Sequence, residues 1–348
     1  MNFRYKALCF SEGILYASRG TSIYCSRDYG STFSFIAKIN VGVVESAMAV
    51  TSLSRRVSRT GVHLLRVNSR GDIVAITKKR INVKLRDNLA FELVFGIPRG
   101  SRPLDICLGK DEELVWGEYF GNDTRESVNI YRSYWPYTQW EICYTFDAKS
   151  IRHVHSVEYD SYRDGYWILT GDYDGEAALW FTDDDFGTVR LVLGGSQKYR
   201  AVVLYPEKDR VVGATDTQLE QNYIYSLIGE GSNYSQELHH EIAGPCFDLV
   251  KCSGIYVCSS VIEKSEVNTG NHVCIYASLD GVKWKQIMSF EKDIFPKKMH
   301  LLTQFSTVSL ISTNESPYLY MYGRGVKAIN QKTRRIHYKE LLELLNEN

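Results

Sequence analysis

Much that would mark a common enzyme class is missing from these 348 residues. No GxxxxGK[ST] phosphate loop, GxSxG nucleophile elbow or dinucleotide fingerprint occurs, which removes the sequence signals of nucleotide hydrolases, serine hydrolases and Rossmann dehydrogenases. No apolar run approaches the ~18 residues of a membrane-crossing helix. An excess of either charge is absent too. Forty-one basic and forty-one acidic residues cancel, so no overall attraction to nucleic acid or to an anionic membrane is expected. The eight cysteines contain no CxxC pair and sit in apolar runs such as "ALCF" and "IYVCSS", where a thiol behaves as a small buried hydrophobe. These thiols, and the lack of a charged-then-apolar leader pattern, make a cytoplasmic protein the expectation, with phage-borne or non-classical export as the alternative.

Long helical periodicity is almost absent as well. What is present is aromatic content of 13%, including 24 tyrosines, in short β-branched and aromatic runs punctuated by glycine, which is the pattern of an all-β chain. The exception is the end, where Leu341, Leu342, Leu344 and Leu345 predict a short helix. Aligning turn motifs exposes a repeat. "SRDYGSTF" (26–33) fits S-x-D-x-G-x-T-[FW], "SLDGVKW" (278–284) is one residue shorter, and "SYWPYTQW" (133–140) and "TDDDFGTV" (182–189) keep parts of it. With similar strand ends near 77, 226 and 323, the period is roughly 50 residues, the size of a four-stranded propeller blade. The chain is therefore expected to form an all-β, seven-bladed β-propeller, six blades being the alternative. Residues 1–335 form a single domain on this reading, and 336–348 a helical tail.

These boxes resemble the Asp-box (BNR) repeats of sialidase-like propellers, and the fuller run "WGEY … RHVHSVEYD … TGD … GSQKYRAV" resembles a bacterial branch associated with cell-surface polysaccharides. The resemblance implies that the boxes close the turn between the third and fourth strands, away from the active face. Asp28, Asp184 and Asp280 are accordingly read as turn-forming residues. It also implies a carbohydrate ligand. The arginine triad of true sialidases and their Arg-Ile-Pro motif are not matched, the nearest string being "GIPRG" at 96–100, so sialic acid specificity is not carried over.

The stretch "RHVHSVEYDSYRDGYWILTGDYDGEAALW" (152–180) holds more polar machinery than a hairpin needs. In a propeller the start of a blade's first strand shares one face with the loop between its second and third strands. That rule brings His153 and His155 toward Asp172 and Asp174 in the fourth blade. It adds Glu118 and Tyr119 from the third, and Gln197, Arg200 and Asp216 from the fifth; blades one, two and seven show much less. Three chemistries follow. Glycoside hydrolysis, the leading reading, would use Glu118 and Asp172 as a carboxyl pair with Tyr119 and His153 beside them, and His155, Asp174, Gln197, Arg200 and Asp216 as sugar contacts. A lyase acting on a uronate would use a Tyr or His to take the proton next to a carboxylate neutralised by Arg. The third reading is a non-catalytic glycan-binding or scaffold propeller with a protein partner. No cofactor is expected; the option is a divalent ion on His153, His155 and Asp172. Nucleic acid and membrane insertion are not expected. Each residue also has a structural alternative: paired histidines as hydrogen-bonded packing, Asp172 and Asp216 as turn caps, and Glu118 as a partner of Arg102.

Overall fold

The computed structural model describes residues 1–348 apart from 43, 44, 46, 47, 49–59, 232, 264, 295–304 and 348. Its strands form seven antiparallel sheets, one per blade, so the propeller has seven blades and not six. Within a blade the strands run in sequence order, A to D, from the central channel outward. Blade 4 is typical: A is Val154–Asp160, B is Gly165–Thr170, C is Ala178–Thr182 and D is Arg190–Gly194. Blade 3 has the shortest inner strand, Cys107–Leu108.

Burial explains why the B strands carry the most apolar sequence. Every residue of Ile73–Thr77, Gly165–Thr170, Val211–Thr215 and Ile255–Ser260 is buried, because each strand is covered by the neighbouring blade on both faces. Outer strands such as Glu92–Gly96 are largely exposed. The core is thus a ring of layers between blades. Trp167, Leu169 and Phe181 of blade 4 meet Leu204, Val211 and Tyr225 of blade 5, and Val115 and Ile130 of blade 3 meet Val154 and Ile168. Each such large side chain contributes about 1.5–3 kcal/mol by leaving water. Gly117 keeps the blade 3–4 layer tight, since a Cβ there would collide with Val154.

The ring is closed by the chain's two ends. Blade 7 takes its A, B and C strands from Phe305–Ile311, Tyr318–Arg324 and Thr333–His337, and its outermost strand from Asn2–Phe3, which pairs Asn2 with Arg334 and Phe3 with Thr333. The helix follows at Tyr338–Asn346; Leu341 is fully buried against the layer between blades 6 and 7, with Leu342 and Leu345 partly covered.

The three best-preserved boxes lie at the C–D turns. Asp28 Oδ1 accepts from Ser26 Oγ at 2.7 Å and from the Thr32 amide at 2.8 Å. Asp184 repeats this with Thr182 and Thr188, and Asp280 with Ser278 and Lys283. Antiparallel order places these turns on the face opposite the B–C loops.

Candidate functional site

His153 immediately precedes strand A of blade 4, and His155 lies within it. Pairing with strand B skips from Val154–Thr170 to Ser156–Leu169, so His155 is the extra residue of a β-bulge. A bulge releases a residue from the ladder and re-aims its side chain. The two imidazole rings lie with centroids 5.2 Å apart, and the Tyr119 ring rests 4.2 Å from that of His153.

Asp172 faces them from the B–C loop of the same blade. Its Oδ2 lies 3.3 Å from His153 Nε2 and its Oδ1 3.4 Å from His155 Nε2. Two guanidiniums share the carboxylate: Arg152 at 2.7 Å and Arg200 at 3.1 Å. Arg200 continues to Asp216 at 3.4 Å, and Arg152 to Asp123 at 2.8 Å. The Asp172 backbone has φ of 153°, a value that favours glycine, and its carbonyl accepts from Gln197 Nε2 and from Arg200, each at 3.2 Å. Gly171 lets Arg200 pass, since a Cβ there would lie 3.1 Å from the Arg200 Cγ.

The tautomers carry the chemistry. His153 Nδ1 lies 3.0 Å from the Phe120 carbonyl and His155 Nδ1 lies 2.9 Å from the Ala201 carbonyl. A carbonyl only accepts, so each Nδ1 carries a hydrogen and each neutral ring turns the lone pair of Nε2 toward Asp172. Lone pairs aimed at a carboxylate repel unless each ring gains a second proton or a cation lies between them. A ring fixed through Nδ1–H to a carbonyl is how metal-ligating histidines are commonly oriented. Burial of His153 favours its neutral form and pulls its pKa down, although Asp172 opposes this. Its Nε2 is buried with no hydrogen-bond partner. Nε2 of both rings and an Asp172 oxygen are a donor set suited to a divalent ion such as zinc or manganese, the candidate ligand atoms all lying within 4.8 Å of one another.

Burial works against ionising Asp172, but where His153 and His155 carry a second proton on Nε2 their contacts outweigh it and hold the carboxyl well below its usual range. The surrounding acids shift the other way. Burial raises Asp216 against the pull of Arg200 and His155. Burial and then the Asp216 charge push Glu263 up to about 8. Burial and then Asp172 push Tyr119 up to about 12. One ionised carboxylate therefore sits near Glu263 and Tyr119, two groups that keep their protons at neutral pH, a separation that suits acid–base work.

The cluster unites Tyr119, His153, His155, Asp172, Arg200 and Asp216. Gln197 is adjacent but braces the site: it is 1% exposed, donates to the Asp172 carbonyl and accepts from Thr217 Oγ1 at 2.8 Å. Two expected members lie elsewhere. Asp174 is exposed on the loop beyond Asp172. Glu118 is 0% exposed, with its oxygens engaged by Arg99 in two hydrogen bonds, by the Asn129 amide at 2.9 Å and by the Tyr131 hydroxyl at 3.5 Å. Its partner is Arg99 and not Arg102, which lies against His63. The expected Glu118–Asp172 catalytic pair is thus corrected: Glu118 is bound into blade 3. Two residues went unexpected. Arg152 stands one position before His153. Glu263 occupies in blade 6 the place just past strand B that Asp172 and Asp216 occupy in theirs, so the rule used for blades 3–5 would have found it.

No protein-family profile matches the chain, and no curated protein matches it. Solved structures do match its fold. An oligogalacturonate lyase in complex with manganese superposes with a TM-score of 0.62 at 10% identity, covering 97% of this chain and 89% of that one. An oligogalacturonate lyase from Vibrio parahaemolyticus gives 0.58 at 10% identity, covering 92% and 85%. A chain of a mitotic checkpoint complex gives 0.58 at 8% identity, covering 97% and 91%. Such identities concern fold alone, and the three neighbours show how different the tasks of one fold can be. Fold and site together define a seven-bladed propeller with a His–Asp–Arg cluster at one channel mouth.

Proposed function

We propose that the protein is a lyase that cleaves uronate-containing oligosaccharides by β-elimination at this cluster. The observation that carries the reading is the convergence of two guanidiniums and two Nε2 lone pairs on Asp172, with a tyrosine ring against one imidazole. Elimination needs the sugar carboxylate neutralised so that the proton beside it can leave. Arg200 and Arg152 are the groups to bind that carboxylate, Arg being suited to paired contacts with it. Tyr119, once its phenol has released its own proton to solvent, takes the neighbouring C5 proton; the C5–H bonding pair forms the C4–C5 double bond, the C4–O bond breaks, and Glu263 gives a proton to the leaving oxygen. A divalent ion held by His153, His155 and Asp172 would add charge against the sugar carboxylate and ease ionisation of the Tyr119 phenol. The Asp-box resemblance supports a carbohydrate ligand, and two of the similar solved structures are oligogalacturonate lyases, one of them in complex with manganese.

Hydrolysis keeps one supporting observation: Glu263 and Asp172 are a protonated and an ionised carboxyl in one site. One assay separates the two. Incubation with polygalacturonate oligomers and manganese should yield an unsaturated product that absorbs in the ultraviolet, with turnover abolished in Tyr119→Phe. New reducing ends without that absorbance would make the protein a hydrolase, and absence of both across divalent ions would overturn the enzymatic reading.

A further inference from the structure

Polar side chains at the channel mouth are not confined to blades 3–5. At or just past the ends of the B strands stand Asp172, Asp216 and Glu263 in blades 4 to 6, but Arg324 and Arg19 in blades 7 and 1. The mouth therefore differs along its rim: on one arc the acids Asp172 and Asp216 are ion-paired with Arg152 and Arg200, and on the other the strand ends are basic.

On the basic arc the surface opens into a pocket between blades 7, 1 and 2, bounded by Arg4, Lys6, Arg19, His63, Tyr322 and Arg324. Its described lining contains no carboxylate. The pocket is built on fixed backbone. Lys6 Nζ donates to the carbonyls of Val62 at 3.1 Å and His63 at 3.0 Å. Behind it Gly61, at φ +102°, lies so near the Gly20 carbonyl that a Cβ would stand 3.0 Å from that oxygen. Burial, followed by the charges of Arg102 and Arg324, pushes the Lys6 ammonium down to about 7, with Asp248 opposing them. Like charges crowded this way attract an anion and raise its local concentration.

We propose that this pocket is an anion subsite that holds an acidic group of the oligosaccharide while another of its sugars occupies the His153–Asp172–Arg200 cluster across the mouth. The assignment rests on the uronate reading of that cluster. It makes the preferred substrate a chain with several carboxylates, gripped at one unit and cleaved at another.

The test is calorimetric titration of galacturonate monomer, trimer and hexamer into the wild type and the Arg19→Gln/Arg324→Gln double variant, with melting curves to confirm folding. The wild type should gain roughly tenfold or more in affinity from monomer to the longer chains, and lose that gain as salt rises. The double variant should lose most of the gain. An undiminished gain in the double variant overturns the subsite. Inorganic phosphate separates the two readings. Phosphate binding that the double variant lacks, with no uronate binding to the wild type, would leave an anion pocket and overturn its assignment to this substrate; failure of both probes would overturn pocket and assignment together.

Discussion

Asp172→Asn removes the one charge on which four basic groups converge. Breaking a buried ion pair from one side typically costs about 3–5 kcal/mol, because the other charge is left buried and unpaired. Here the loss is partial. Arg152 keeps Asp123 at 2.8 Å and Arg200 keeps Asp216 at 3.4 Å, while Arg152 is itself 22% exposed and shielded by water. An asparagine also retains the shape of the side chain and the backbone bonds from Gln197 and Arg200. The expected destabilisation is therefore about 2 kcal/mol, less than a full orphaning and more than an exposed pair. Urea unfolding followed by tryptophan fluorescence measures it, in buffer containing a chelator so that only the protein's own groups are compared. The slope with denaturant should not change, since the surface exposed on unfolding is the same. A variant as stable as the wild type, or more stable, would refute the claim that Asp172 holds the two arginines, and would show that the cluster is strained when empty.

Manganese at a hundred times its dissociation constant should stabilise the wild type by about 2.7 kcal/mol, seen as a rise in melting temperature, and the rise should vanish in His153→Ala. Phe3→Ala should cost about 3 kcal/mol, because Phe3 is buried in the closing strand against Phe33, at 5.1 Å between centroids, and Tyr320. The channel predicts a pH dependence. Burial pushes Asp248 up from 3.8 to about 7 against the Leu310 amide and Lys6, so the folded state binds a proton that the unfolded chain releases. Stability should accordingly fall as pH rises from about 4 to about 7; the partial exposure of Asp248 limits its share of the fall to about 1–2 kcal/mol, and Asp248→Asn should lessen the slope. Equal slopes in both proteins would refute the assignment to Asp248.

Several of these features could be read before any coordinates. The box at 26–33 and its shortened copy at 278–284 set the blade period because the Asp28 and Asp280 carboxylates bond within their own turns, which makes them local signals. His153, His155 and Asp172 came from strand order within one blade, another nearly local rule. Glu118 followed the same rule and ended elsewhere, because its fate depends on Arg99, nineteen residues earlier, with no periodic mark to announce the pair. The closing strand was equally silent: two residues, Asn2 and Phe3, are too few to show alternation. Arg19 and Arg324 stood at the same strand ends as the acids, but a single arginine after a strand reads as solvated surface until the ring brings the blades together.

The pairing of Asn2–Phe3 with Thr333–His337 also governs the order in which the molecule can be made. Blade 7 stays one strand short until a segment from the far end of the chain arrives, so a ribosome-bound chain with six blades complete still presents two raw edges. Contacts of such sequence separation form slowly. A fusion partner placed directly before Asn2 would sit at the seam, and its size would show first in folding yield, before any change in the finished protein.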